Sequence, residues 1–430
     1  MPLRRDLAAA RRLFRNGLTS RRNRAEVARI RAQHETTHPG DVEIVVYYAD
    51  GPVNMYQLRQ WYEPLRELAK THPVGILARS PGAALQLWQE TDLPVWSVTQ
   101  VGDIEAFLEH RGPRLVLYVN QNAKNFQMLR YGRMWHVFIN HGESDKMYMT
   151  TNQFKAYDYA LVAGQAARDR LGAKLWDYDL ERRTLEIGRP QADHFAAPVP
   201  YPSDGRRVVL YAPTWEGDRP AAAYGSIATH GVDVATAVLA SDQHRLVYRP
   251  HPRSGVRDEA YKAAHERIVA MIQAANRRDS SAHHVYDDGP QLGWQLADAD
   301  VAITDVSAMV YDRLAVGRPI LITRPAAEEA DVDERGYLGA CEWLEAGIAD
   351  PLPEIDRVAE DGEALARLER WSTHYFGDTT HGSATTRFHA AIERLLAIWA
   401  QHAERHRTDA FEVEVDDDEP AVGEEDGPTP

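Results

Sequence analysis

Cysteine is almost missing. Cys341 stands alone, so no disulfide can form within the chain, and the sequence fits a reducing compartment. Long apolar runs are missing as well. No stretch reaches the ~18–20 uncharged apolar residues that would span a bilayer, and no apolar segment follows the arginine-rich start as it would in a secretory signal. A cytoplasmic location is expected. Positive charge is in short supply: the net charge of −15 argues against a nucleic-acid partner. No His/Cys/Asp cluster has metal-ligand spacing, and the adjacent His283 and His284 would face opposite ways on a strand, so no metal site is expected.

What is present suffices for ordinary cores. The 430 residues are 44% hydrophobic, and at roughly 100–200 residues per domain they make two or three domains. The charge is unevenly spread. Residues 1–31 carry ten arginines against Asp6 and Glu26, whereas Glu412–Asp426 carries nine acidic residues and no basic one. Residues 3–33 read as a helix with an apolar stripe at Leu3, Leu7, Ala10, Leu13, Phe14 and Leu18. Beside its arginines that stripe could meet anionic lipid on the inner face of a membrane through residues 3–31, or pack on the domain or a partner protein. Residues 1–40 are thus a separate helical segment, and 408–430 an acidic tail with the composition of disorder.

Between them, strands and helices alternate. Val42–Tyr48, Val74–Ala78, Val95–Val98, Arg114–Val119, Trp135–Asn140 and Tyr159–Ala163 read as strands, with helical periodicity between them, as over Met55–Lys70 and Gly164–Leu171. After a proline-rich passage at Pro190–Pro202 a second series begins: strands Arg207–Ala212, Arg245–Tyr248, Val285–Tyr286, Val301–Thr304 and Pro319–Thr323, and helices Val232–Leu239, Asp258–Ala275, Gln291–Ala297 and Ser307–Val316. Such alternation makes parallel sheets covered on both faces. The expectation is an α/β protein of GT-B type, two Rossmann-like domains (41–190 and 191–400) facing across a cleft, with ligands beyond the carboxyl ends of the strands.

Four polar clusters fall at those strand ends. Asn140-His141-Gly142-Glu143-Ser144-Asp145-Lys146 follows strand WHVFI; His141 suits a general base and Lys146 adds a positive charge, though a turn with a capping Ser or Asp would look the same. Tyr211-Ala212-Pro213-Thr214-Trp215 ends a strand in a proline, which leaves Thr214 to touch a phosphate or base, or merely to start a loop. Arg249-Pro250-His251-Pro252 holds His251 between two prolines in a rigid loop with Arg249 and Arg253 beside it, a fit for a pyrophosphate. Thr304-Asp305-Val306-Ser307 leads into a helix that carries Asp312. Asp305 or Ser307 can cap that helix with no ligand present, or the same helix start can hold phosphate oxygens.

In this order, the clusters resemble the CDP-glycerol glycerophosphotransferase family of teichoic-acid polymerases and primases. They match its HGxxxK element (His141, Gly142, Lys146), its YAPTW strand end (Tyr211–Trp215), its R-x-HP element (Arg249, His251, Pro252) and its TDxSSxxxD element followed by GRP (Thr304, Asp305, Ser307, Asp312, then Gly317, Arg318 and Pro319). The resemblance spans residues 140–320. It departs at Ala308, where the family has a second serine, and at Glu216, where it often has a basic residue. The resemblance implies a CDP-polyol donor held in the second domain by Thr214, Arg249, His251, Asp305, Ser307 and Arg318, with Asp312 on the transferred polyol. His141 would be the base and Lys146 an acceptor-side charge, the acceptor being a lipid-linked or polymeric polyol or saccharide. No cofactor is implied, though a divalent cation has room on the diphosphate. The alternatives on one architecture are a glycosyltransferase or epimerase using a nucleotide sugar, and a non-catalytic nucleotide-sugar-binding protein.

Overall fold

The computed structural model describes residues 18–34, 41–143, 150–195, 198–217, 219–289, 292–327, 329–330, 332 and 336–406. Two parallel sheets organise them. The first has the order β3-β2-β1-β4-β5-β6-β7, from β1 (Ile44–Tyr48), β2 (Val74–Ala78), β3 (Val95–Ser97), β4 (Leu115–Tyr118), β5 (Trp135–Phe138), β6 (Tyr159–Val162) and β7 (Thr184–Glu186). The second has the order β10-β9-β8-β11-β12-β13, from β8 (Arg207–Ala212), β9 (His244–Tyr248), β10 (Val285–Tyr286), β11 (Val301–Thr304), β12 (Ile320–Thr323) and β13 (Glu342–Leu344). The α/β, GT-B expectation holds. Central strands such as IVVYY and VAIT are buried along their whole length, as strands covered by helices on both faces must be.

In each sheet, chain order reverses beside the first strand: β1 has β2 on one side and β4 on the other, and β8 has β9 and β11. Loops leaving those neighbours part to opposite faces and open a crevice at the carboxyl edge. The registers keep that edge level. Tyr48 pairs with Ala78 and Tyr118 with Phe138, while Ala212 pairs with Thr304 and Tyr211 with Tyr248.

Several boundaries differ from the sequence pattern. Met55–Lys70 is not one helix but two, Met55–Arg59 and Tyr62–Leu68, packed by Met55, Leu58, Leu65 and Leu68. The short strands β7 and β13 were not legible, since TLE and EWL carry too few apolar residues to mark a period. His283 and His284 precede β10 rather than forming part of it, and His283 has positive φ. The amino-terminal helix covers 18–34, with Val27 buried and His34 stacked on Trp88 at 4.6 Å. The stripe from Leu3 to Phe14, Lys146 and the acidic tail lie outside the described residues. Among the described residues, no helix is long and apolar enough to cross a membrane.

The last helix, Ser383–Arg405, belongs in sequence to the second half but packs on the first. Phe388, Ala391, Ile392, Leu395 and Leu396 enter the core beneath β1 and β4, and the Phe388 ring lies 5.4 Å from Trp61. Burying each of these larger side chains contributes about 1.5–3 kcal/mol. Asp193 fixes where that helix starts, its carboxylate accepting from the Gly382 and Thr385 amides at 2.9 and 2.7 Å. The helix Gly362–Phe376 also closes on the first domain. A Cβ at Gly164 would stand 2.7 Å from the Tyr375 carbonyl, so only glycine permits that approach.

Candidate functional site

Strand β5 ends at Phe138, and two residues later Asn140 turns the chain with a left-handed φ of 56°, a conformation asparagine tolerates better than most residues. The Trp61 indole donates to its carbonyl at 2.5 Å, and its own amide donates to Gly142 O at 2.5 Å. The turn places His141 against the end of β4, where its Nδ1 lies 3.0 Å from Val119 O. A carbonyl only accepts, so Nδ1 carries the proton and the neutral ring presents Nε2 as the basic nitrogen. Glu143, expected only as part of a turn, is buried and ion-paired with Arg170.

On the second domain, Thr214, Arg249, His251, Asp305 and Ser307 all leave the carboxyl ends of the adjacent strands β8, β9 and β11. His251 is exposed, and its Nδ1 accepts from the Arg253 amide at 3.1 Å. Its neutral ring therefore carries the proton on Nε2, the reverse of His141. Ser307 is the N-cap of Ala308–Val316, with Oγ accepting from the Met309 amide at 3.3 Å. The capping reading is thus realised, at a helix start that opens on the crevice. Thr214 is half-buried, its amide donating to Asp305 and its carbonyl accepting from the Tyr261 hydroxyl.

Four of the expected donor-site residues are engaged within the protein in this structure. Asp305 is turned inward. It is wholly buried, with Oδ2 taking the Thr214 and Ser226 amides at 2.7 and 3.2 Å and Oδ1 the Thr323 hydroxyl at 2.6 Å. Burial pushes its carboxyl up to about 6 despite those donors, so it braces the loops of the crevice from beneath. Arg249 is ion-paired with Asp287 and donates to Gly289 O at 3.1 Å, which binds the β9 and β10 loops together instead of reaching a pyrophosphate. Arg318 follows the left-handed Gly317 at the far end of the helix, where it donates to Ala299 O at 3.4 Å. Nine helical residues at about 1.5 Å each carry it to the opposite edge of the sheet from Ser307.

Asp312 is the fourth. It is buried and salt-bridged at 2.5 Å to Arg189 of the first domain. Burial raises its carboxyl and the guanidinium opposes that rise. Arg189 also donates to Gln60 Oε1 at 2.9 Å, and a Cβ on Gly142 would lie 3.6 Å from its Nη1. One guanidinium thus ties Gln60 of the first domain to the helix that Ser307 caps, and passes close to the His141 loop. Arg189 was missed in the sequence; its only signal was an arginine three residues after a strand too short to recognise. The small cavity beneath Gly142, lined in part by Glu143, Arg170 and Arg189, holds about 40 Å³, far below what a nucleotide occupies.

The departure from the family pattern at Glu216 has a local explanation. Glu216 accepts from the Gly255, Arg257 and Asp258 amides at 3.0, 2.7 and 3.3 Å. Burial works against its charge, but those amides prevail and hold its carboxyl below the usual range. The acid thus clasps the loop that carries His251. Arg253 lies 4.0 Å over the Trp215 ring, so it stacks within the same loop pair. No group of three or more candidate metal ligands occurs among the described residues.

Residues 138–339 match the family model described as CDP-glycerol:poly(glycerophosphate) glycerophosphotransferase, a segment that contains all four motif clusters. The resemblance read from those motifs is borne out. No curated protein matches the chain in sequence. Among solved structures, a variant of the wall teichoic acid polymerase TagF soaked with CDPG is 16% identical, with 90% of this chain and 98% of that one covered at a TM-score of 0.54. A second structure of the same TagF variant is 15% identical over 91% and 99% at 0.53. The UDP-GlcNAc 2-epimerase of Neisseria meningitidis, bound to UDP-GlcNAc, is 11% identical over 83% and 99% at 0.53. At such identities these likenesses establish the fold.

Proposed function

We propose, from the premise that this chain is a CDP-glycerol glycerophosphotransferase-like transferase, that it moves glycerol phosphate from CDP-glycerol to a hydroxyl of a lipid-linked or polymeric polyol or saccharide acceptor, releasing CMP. The observation that carries this reading is a histidine at the carboxyl end of each sheet, held through Nδ1: His141 at Val119 O on the first domain and His251 at the Arg253 amide on the second.

The acceptor hydroxyl gives its proton to His141 Nε2 as its oxygen attacks the β-phosphorus of the donor. The bond from that phosphorus to the bridging oxygen breaks, and the electron pair leaves with CMP. His251 Nε2–H and the helix start at Ser307 stabilise the charge gathering on the leaving phosphate. Asp305 and Glu216 act one step away, holding the Thr214 and His251 loops in place. The step as written routes no bond through a cofactor, and a divalent cation on the diphosphate is compatible with it. The helix over 18–34 turns Arg21, Arg22, Arg24 and half-exposed Leu18 outward, which suits contact with an anionic membrane surface bearing the acceptor.

The test is turnover of CDP-glycerol, CDP-ribitol and UDP-sugars by wild type, His141→Ala and His251→Ala. We expect CMP release from a CDP-polyol, a loss of about 10²–10⁴ in kcat for His141→Ala with donor binding retained, and weakened donor binding for His251→Ala. Preference for a UDP-sugar would keep the fold and overturn the reaction. Full activity of His141→Ala would remove the base.

A further inference from the structure

We propose that the crevice of the first domain is a subsite for an uncharged polyol or sugar end bearing a vicinal diol, held by Asp50, Gln57 and Asn120 with the Tyr56 ring as a wall. The inference deepens the transferase reading and rests on it only for what happens to the bound hydroxyl. Its place follows from topology. Asp50 lies two residues beyond β1 and Asn120 two beyond β4, the two strands between which the crevice opens.

Asn120 is almost fully buried, and its Nδ2 donates both to Asp50 Oδ2 at 3.0 Å and to Gln57 Oε1 at 2.7 Å. Those two bonds fix both amides. Gln57 must then present its Nε2 as a donor, which reaches the Tyr56 hydroxyl at 3.3 Å. A half-buried carboxylate beside an oriented amide offers an acceptor next to a donor. That is the complement of two neighbouring hydroxyls, each of which gives one hydrogen bond and takes another.

The base stands in the same space. His141 bonds to Val119 O, the residue before Asn120, and the Tyr56 ring, beside Gln57, meets the His141 ring edge-on at 6.0 Å. Exposed Val53, Tyr56 and Phe126 rim the mouth and give the carbon face of a polyol an apolar wall. Among the described residues, charge selects against a phosphate end. Asp50 is the charged member of the trio. The nearby Arg79 is spent on Val98 O, Gln100 O and Gln127, and Arg59 on Glu90.

The experiment is ligand-observed NMR on the full chain without donor, with glycerol and glycerol 3-phosphate as probes. The wild type should bind glycerol in preference to glycerol 3-phosphate. Asp50→Asn should weaken glycerol about tenfold, as expected for one hydrogen bond to a charged group, and erase the preference. Tyr56→Leu, at an exposed position, should weaken glycerol several-fold, because it removes the flat ring face against which the carbon chain would lie. Equal or tighter binding of glycerol 3-phosphate by wild type, or indifference to Asp50→Asn, would overturn the subsite. Glycerol selectivity with no turnover of CDP-glycerol would support the subsite and sink the transferase reading instead.

Discussion

The two crevices share a topology and differ in chemistry. Each opens beside the first strand of its sheet, between β1 and β4 in one domain and between β8 and β11 in the other. In the first, the groups facing the opening are a carboxylate, two oriented amides and a histidine with its basic nitrogen presented. In the second they are a capped helix start and a histidine with its N–H presented, while the nearby acids, Asp305 and Glu216, are turned inward onto backbone amides. Strand order builds the place; loop residues set its chemistry, which on the reading proposed above suits neutral hydroxyls in one crevice and an anion in the other.

The strut between the crevices should give the largest effect. Arg189→Ala or Asp312→Ala leaves one buried charge without its partner and should cost about 3–5 kcal/mol in urea unfolding, whereas the apolar pair Arg189→Met with Asp312→Leu should recover most of it. If the single variants are harmless, the crevices are not held together by this pair.

Asp305 comes next. Its carboxyl is raised from 3.8 to about 6, so the native state holds a proton that the unfolded chain releases. Its contribution is therefore fully favourable below pH 3.8 and is lost as pH rises through about 6, a change of about 3 kcal/mol. Measured against Asp305→Asn, wild-type stability should fall by that order between pH 3.5 and 7. A flat difference would mean that its amide and hydroxyl donors outweigh burial.

Ser307→Ala sharpens the anion-receiving half. Loss of the cap should cost about 1 kcal/mol of stability and weaken CDP-glycerol in calorimetry, while glycerol binding in the other crevice is untouched. Arg318→Ala should do least, within about 0.5 kcal/mol and about twofold in donor affinity. A tenfold loss of donor affinity there would return Arg318 to the site.

Much of this was legible beforehand, and for definite reasons. Strands buried on both faces must be apolar throughout, so VGILA, RVVLYA and VAIT announced themselves with correct limits. Strand-end histidines are conspicuous, and both His141 and His251 do reach a crevice mouth. The two halves of the Met55–Lys70 segment have one apolar periodicity, so the break between them left no mark.

The sequence by itself determined the α/β class, the two series of strands, and which loops lie at the carboxyl edges, because hydrophobic period and strand-end polarity are local properties. Tertiary structure alone decided which way each polar side chain turned. Asp305 and Asp312 stand in one motif, yet the first braces the loop after β8 and the end of β12 from within, and the second pairs with an arginine 123 positions earlier in the chain. The helix Ser383–Arg405 likewise crosses back to the first domain, because the apolar surface that accepts Phe388 is there. Burial and pairing across the chain are sums over distant neighbours, and spacing within a motif holds no record of them.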